Sequence, residues 1–151
     1  RGLIGSDLLK YREDYKVINN PMSDTSDPIV VLPAIVPDVT LFHAPLADRF
    51  GNVWIGKMRE LMTLAHASKQ TLITVEEITD LDLMKDPLRA PATIPEMYVS
   101  KVVEAKNGAW PLGLDGCYDP DSEALAHYAA AARTEEGFAD YLAGANQRAA
   151  E

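Results

Sequence analysis

Four short runs of aliphatic, β-branched and aromatic residues, at 30–32, 39–43, 52–55 and 71–75, constrain this chain's fold more than any other feature. Each is punctuated by proline or glycine and has the composition of a strand. Their hydrophobicity is nearly continuous, whereas a strand with one wet face alternates. That predicts strands covered on both faces, as in a parallel or mixed sheet with helices on each side. The expected fold class is α/β, an open, mostly parallel or mixed sheet flanked by helices. A chain of 151 residues is long enough for one core and too short for two, so 1–151 reads as a single domain.

Helices are expected between and after these strands. Met58, Leu61, Met62, Ala65 and His66 fall at i, i+3, i+4, i+7 and i+8, the stripe of an amphipathic helix of about three turns. Ser122 opens an Ala-rich helical stretch to Arg133, and Thr134, followed by Glu135 and Glu136, opens another through Phe138, Tyr141 and Leu142. Residues 19–28 and 107–120 are loops by their Asn, Asp, Ser, Gly and Pro content.

Charge narrows the partners. With 14 Lys+Arg against 23 Asp+Glu the formal charge is −9, which argues against nucleic acid and against an anionic membrane surface. The single cysteine, Cys117, has no internal disulfide partner and no surrounding ligand cluster, so a reducing, cytoplasmic setting and no metal are expected. The start, Arg1-Gly2-Leu3-Ile4-Gly5-Ser6, has neither an initiator Met nor a signal peptide's apolar segment, and reads as the middle of a longer protein.

Residues that carry chemistry are few. Ala47-Asp48-Arg49-Phe50-Gly51-Asn52, between two strands, is either a tight turn or a place where Gly51 lets backbone approach a ligand and Arg49 meets a carboxylate or phosphate. Glu76 and Glu77 sit at a strand's C-terminal end, where open α/β sheets bind ligands, and strand geometry sends them to opposite faces. One of them is placed to serve as nucleophile or base; the structural alternative is a turn cap or an ion pair. His43, read as ending the strand 39–43, is either a ligand-facing group or a satisfied structural histidine. His66 belongs to a helix face, and His43, His66 and His127 share no ligand spacing. Gly-x-Ser-x-Gly, Walker and Gly-x-Gly-x-x-Gly motifs are absent from the sequence.

The order of segments carries more than any single motif. Leu32-Pro33-Ala34-Ile35-Val36-Pro37-Asp38-Val39 is followed by His43-Ala44, Ala47-Asp48-Arg49-Phe50-Gly51-Asn52, Ala67-Ser68-Lys69, Thr74-Val75-Glu76-Glu77-Ile78 and Thr93-Ile94-Pro95. Gly108, Pro111 and Gly113 then lead to Tyr118-Asp119-Pro120 and to Glu135-Glu136-Gly137-Phe138. Over nearly its whole length the chain resembles the A subunits of family I coenzyme A transferases, and most of all the glutaconate CoA-transferase type.

The resemblance implies a sheet like that of ribose-5-phosphate isomerase and glucosamine-6-phosphate deaminase, a fold that does not by itself carry their chemistry. It implies CoA exchange between an acyl-CoA and a carboxylic acid through a glutamyl-CoA thioester, with CoA as substrate and no cofactor. In that family the nucleophilic glutamate belongs to the B subunit, in a Ser-Glu-Asn-Gly-type motif that this sequence lacks, so no catalytic residue is assigned here. The family's glycine-rich N-terminal segment is also missing, which makes this the C-terminal half of an A subunit, inactive alone and part of a hetero-oligomer. His43, Asp48, Arg49, Gly51, Asn52, Glu76 and Glu77 are the substrate-binding candidates. A subunit of a ring-opening CoA-thioester hydrolase of steroid degradation, or a non-catalytic interaction domain, is the alternative. Trp54, Trp110, Tyr98, Met58 and Met97 are expected in part at a subunit interface.

Overall fold

The computed structural model describes residues 2–148, with side chains up to residue 145. Its contacts divide the chain into two compact units, one ending at Val36 and one starting at Pro37.

In the first unit a helical turn, α1 (Leu8–Tyr11), precedes an antiparallel ribbon of β1 (Lys16–Asn19) and β2 (Pro28–Val31), in register from Lys16↔Val31 to Asn19↔Pro28. Local side-chain bonds close its loop. The Asn19 carboxamide oxygen accepts from the Asp27 amide at 2.8 Å, and Asn20 accepts from the Met22 amide while donating to Asp27. The apolar run at 30–32 therefore belongs to a local hairpin, paired with a strand at 16–19 that its Lys, Asn and exposed residues concealed.

The second unit is built on a five-stranded sheet in the order β6-β4-β3-β5-β7. Its centre is β3 (Val39–Asp48), parallel to β5 (Gln70–Thr79), which is parallel in turn to β7 (Lys101–Glu104). The short β4 (Val53–Trp54) turns back antiparallel to β3, and β6 (Thr93–Ile94) pairs antiparallel with β4. The sheet is mixed and open, with helices against it, as expected. The register His43↔Thr74, Ala44↔Val75 and Leu46↔Glu77 decides which side chains share a face.

One face is the core. Ala44, Ile73 and Val75 are buried with Val53, Ile55 and Ile94, and α2 (Glu60–Ala67) brings Ala65 against them, with Leu61 and Met62 packed at the margin. The stripe expected from Met58 to His66 is this helix, started two residues later. At roughly 25 cal/mol per Å² of apolar area, the buried Val and Ile side chains contribute about 1.5–3 kcal/mol each and the alanines less. Two further helices follow, α3 (Ser122–Ala131) and α4 (Glu135–Arg148). The α3 cap is Asp121, whose Oδ1 accepts from the Ala124 amide at 2.9 Å, where Ser122 was the expected cap; Thr134 Oγ1 takes the Gly137 amide at 3.1 Å in front of α4.

Candidate functional site

Strand alternation places His43, Thr74 and Glu76 on the sheet face opposite α2. The strand expected to end at His43 runs on to Asp48, so the histidine lies in mid-strand, flanked by β5 and covered by the segment after β7. Gly108 in that segment approaches the imidazole so closely that a Cβ there would lie 2.7 Å from His43 Cε1 and Nδ1. A side chain at 108 would force the ring or the backbone to shift.

Glu76 is the hub of the site. Its Oε1 accepts from His43 Nε2 at 2.6 Å, from the Tyr118 hydroxyl at 2.9 Å and from the Gly108 amide at 3.3 Å. Its Oε2 accepts from the Asn107 amide at 2.9 Å. Desolvation is the largest influence and favours the protonated acid, but the Asn107 amide, His43 and Tyr118 together outweigh it. The carboxyl is held below the usual range and is ionised at neutral pH. An ionised carboxylate only accepts, so His43 Nε2 carries a proton. On the far side of the ring Nδ1 lies 2.8 Å from Thr74 Oγ1. Side chains of His43 and Glu76 are 8% and 17% exposed.

Tyr118 is fixed from both ends, donating to Glu76 and accepting the Ala109 amide at 3.0 Å. Burial, with the Glu76 hydrogen bond and charge behind it, raises the phenol above its ordinary range despite the Ala109 amide, so it stays a neutral donor. The neighbouring Cys117 thiol is also pushed up, by burial first and then by the charges of Glu76 and Asp115, and is no thiolate at neutral pH. Sequence reasoning missed Asn107, Gly108 and Tyr118. They lie some 30 to 40 positions from Glu76, in a segment readable only as loop.

The Asp48–Asn52 turn is a second, separate cluster. Asp48 and Asn52 are 2% and 6% exposed. Asp48 Oδ1 accepts from the Phe50 and Asn52 amides, and Oδ2 accepts from the Asn52 side-chain amide at 2.8 Å and the Leu83 amide at 3.1 Å. Asn52 Oδ1 takes the Glu96 amide at 2.9 Å. Gly51 has φ +94°, a left-handed conformation that disfavours other residues, and its absent Cβ leaves 3.3 Å to Glu96 Cβ. Two distant loops are thus bolted to one turn. Arg49 and Glu77 differ from these, being exposed: the Arg49 guanidinium lies 3.6 Å from Asp80 and over the Phe50 ring, and Glu77 points to the face opposite Glu76. His43 and Glu76 are therefore brought together, as are Asp48, Gly51 and Asn52, but alternation along β3 sends the two groups to opposite faces.

Among the described residues no group of three or more His, Cys, Asp or Glu is arranged to hold a metal ion, and no helix is long and apolar enough to cross a membrane.

With this geometry in place, the comparisons with known proteins fall into one pattern. The chain is 34% identical to the A subunit of the 3-oxoadipate CoA-transferase of Pseudomonas knackmussii, over 94% of its own length and 49% of that relative. It is 26% identical to the IpdA subunit of the cholesterol ring-cleaving hydrolase of Rhodococcus jostii, over 95% of this chain and 51% of the relative. Among solved structures it superposes on a variant of the decarboxylase AibA/AibB with TM-score 0.77 and 32% identity, covering 92% of this chain and 49% of that one. On glutaconate coenzyme A-transferase from Acidaminococcus fermentans the TM-score is 0.75 with 33% identity, over 85% and 40%. No family model matches the chain. Fold and sequence together thus define a CoA-transferase-type α/β chain. It is, more narrowly, similar to the A subunits of family I CoA transferases, and it spans about half the length of these relatives.

Proposed function

We propose that this chain is half of the A subunit of a cytoplasmic CoA transferase and works as the scaffold on which a separate B subunit performs CoA exchange. The observation that carries this reading is the likeness to a CoA-transferase chain of the A type along 94% of the sequence, together with the state of its best-placed carboxylate. Glu76 accepts from four donors and has its charge stabilised inside the chain, which is the opposite of what a nucleophile needs. The attacking glutamate then comes from the partner.

In the reaction that carboxylate attacks the acyl-CoA carbonyl and expels CoA thiolate, leaving an acyl-glutamyl anhydride. The thiolate returns to the glutamyl carbonyl and releases the acid, and the acceptor acid takes CoA by the same steps in reverse. Each step develops an oxyanion that fixed donors stabilise. Of the seven candidate residues, Arg49 and Glu77 offer unburied charged heads to substrate or partner; the other five hold the scaffold.

The test is to express the complete A subunit together with its B subunit, then to supply acyl-CoA without acceptor acid. A CoA-sized mass gain on the B subunit, discharged by a carboxylic acid, is expected, with no gain on this chain. Release of CoA to water without that adduct would favour a hydrolase, the activity carried in the name of the Rhodococcus relative.

A further inference from the structure

One carboxylate holds both ends of the loop 107–118. At the near end Glu76 Oε2 accepts from the Asn107 amide at 2.9 Å and Oε1 from the Gly108 amide at 3.3 Å; at the far end Oε1 accepts from the Tyr118 hydroxyl at 2.9 Å. Between these points the loop bonds to itself. The Tyr118 hydroxyl takes the Ala109 amide at 3.0 Å, the Leu114 amide donates to the Tyr118 carbonyl at 2.9 Å, and the Cys117 and Tyr118 amides donate back to the Leu114 carbonyl at 2.9 and 3.1 Å. The Ala105 amide, bonded to the Val75 carbonyl at 2.8 Å, still belongs to the sheet.

Burial separates this loop from the strand it lies on. Every residue from 105 to 121 is half-buried or exposed, whereas Ile73 and Val75 of β5 are 2% and 0% exposed. The Lys57–Asp115 ion pair at 3.1 Å joins two exposed side chains and adds little. A segment with few buried apolar contacts opens at a lower free energy than the sheet beneath it. Its bonds to Glu76 are charge-assisted and stronger than neutral ones, and because Oε1 serves Gly108 and Tyr118 together, the carboxylate cannot turn away from one end without leaving the other. We propose that residues 107–118 form a strap that opens and closes as one unit over His43, with the Glu76 carboxylate as its clasp. Opening uncovers the His43 imidazole near the carboxyl end of β5, the side on which open α/β sheets take ligands. This device goes beyond the CoA-transferase reading and does not depend on it.

Native-state amide hydrogen exchange of the complete protein at neutral pH tests it. The backbone amides of Asn107, Gly108, Leu114 and Tyr118 should share one protection factor within about threefold, at least about a hundredfold below those of Ile73 and Val75. The deciding readout lies away from the clasp. The Leu114 and Tyr118 amides bond inside the loop and not to Glu76, so a loop that frays piece by piece leaves them protected in Glu76→Gln. A strap that opens as a unit loses protection at all four amides by a common factor of about fivefold or more. Tyr118→Phe keeps the ring, removes the hydroxyl and runs the same test from the other end: the Asn107 and Gly108 amides should speed up by the same factor as Leu114. Unchanged protection of Leu114 and Tyr118 in Glu76→Gln, an effect of Tyr118→Phe that spares Asn107 and Gly108, or loop amides as protected as those of β5 would overturn the proposal.

Discussion

Four donors around Glu76 make its ionised form part of the fold. Glutamine is a poor replacement, because the amide NH2 would face a donor among Asn107, Gly108, Tyr118 and His43, leaving a partly buried hydrogen-bonding group unpaired at about 1 kcal/mol. Glu76→Gln should lower the urea midpoint accordingly at neutral pH. The carboxyl's folded pKa is depressed, so the stabilisation is complete above the unfolded value of about 4.3 and is lost as pH falls through the folded value. The gap between wild type and Glu76→Gln should therefore hold from pH 8 to about 5 and narrow below it; a gap that persists unchanged at pH 3 would show that ionisation is not the cause. Gly108→Ala attacks the same site sterically, with its Cβ 2.7 Å from the His43 ring and 2.9 Å from the Ala105 carbonyl oxygen. Overpacking of this kind costs about 1–3 kcal/mol. His43 ring resonances should move with the loss of stability, and a ring left in place would mean that the backbone at 108 had yielded instead. How much of this was legible in the sequence depends on range: Glu76 and Glu77 on opposite faces follow from the period of a strand, whereas Tyr118 and the 107–108 amides reach Glu76 through a loop whose path no local pattern encodes.

At the scale of elements, β3 and β5 were readable because two long parallel strands need uninterrupted apolar residues on their packed face. Thr40, Phe42 and Ala44 of β3 match Thr71, Ile73 and Val75 of β5 in register. β4 was legible as the apolar run at 52–55, whereas the two-residue β6 and the four-residue β7 carry too few residues for a period to show, and β6 was invisible within its proline-rich surroundings. The expectation of cover on both faces holds on the α2 side. On the other face cover reaches the His43 end through the segment after β7, while Leu41 is 72% exposed. Substitutions should separate the two faces sharply. Ile73→Ala, at a fully buried position, should cost about 2–5 kcal/mol by loss of burial and cavity formation. Leu41→Ala should stay within about 0.5 kcal/mol. Urea unfolding of both variants checks this, and a Leu41 cost near that of Ile73 would mean that the open face is covered in solution.

For the molecule as a whole, the open face and the exposed aromatics bear on association. Val39 and Leu41 of β3 and Val103 of β7, on either side of β5, project from one side of the sheet and are 50%, 72% and 46% exposed. Met58, Met97, Tyr98 and Trp110, expected in part at an interface, are all more than a third exposed, whereas Trp54 is half-buried beside Arg89. Contiguous apolar patches on a sheet are uncommon in autonomous monomers and mark contact surfaces. The 151-residue chain by itself should therefore self-associate as its concentration rises, and the association should involve Leu41. Replacing Leu41 by Lys removes roughly 1.5–3 kcal/mol of apolar burial at any interface formed there and weakens self-association by roughly tenfold or more. The unfolding midpoint should hardly change, because the side chain lies outside the core. Sedimentation velocity across a hundredfold concentration range distinguishes the outcomes. A wild-type chain that sediments as a monomer throughout, or a Leu41→Lys chain that associates as strongly as wild type, would remove this face as the contact surface.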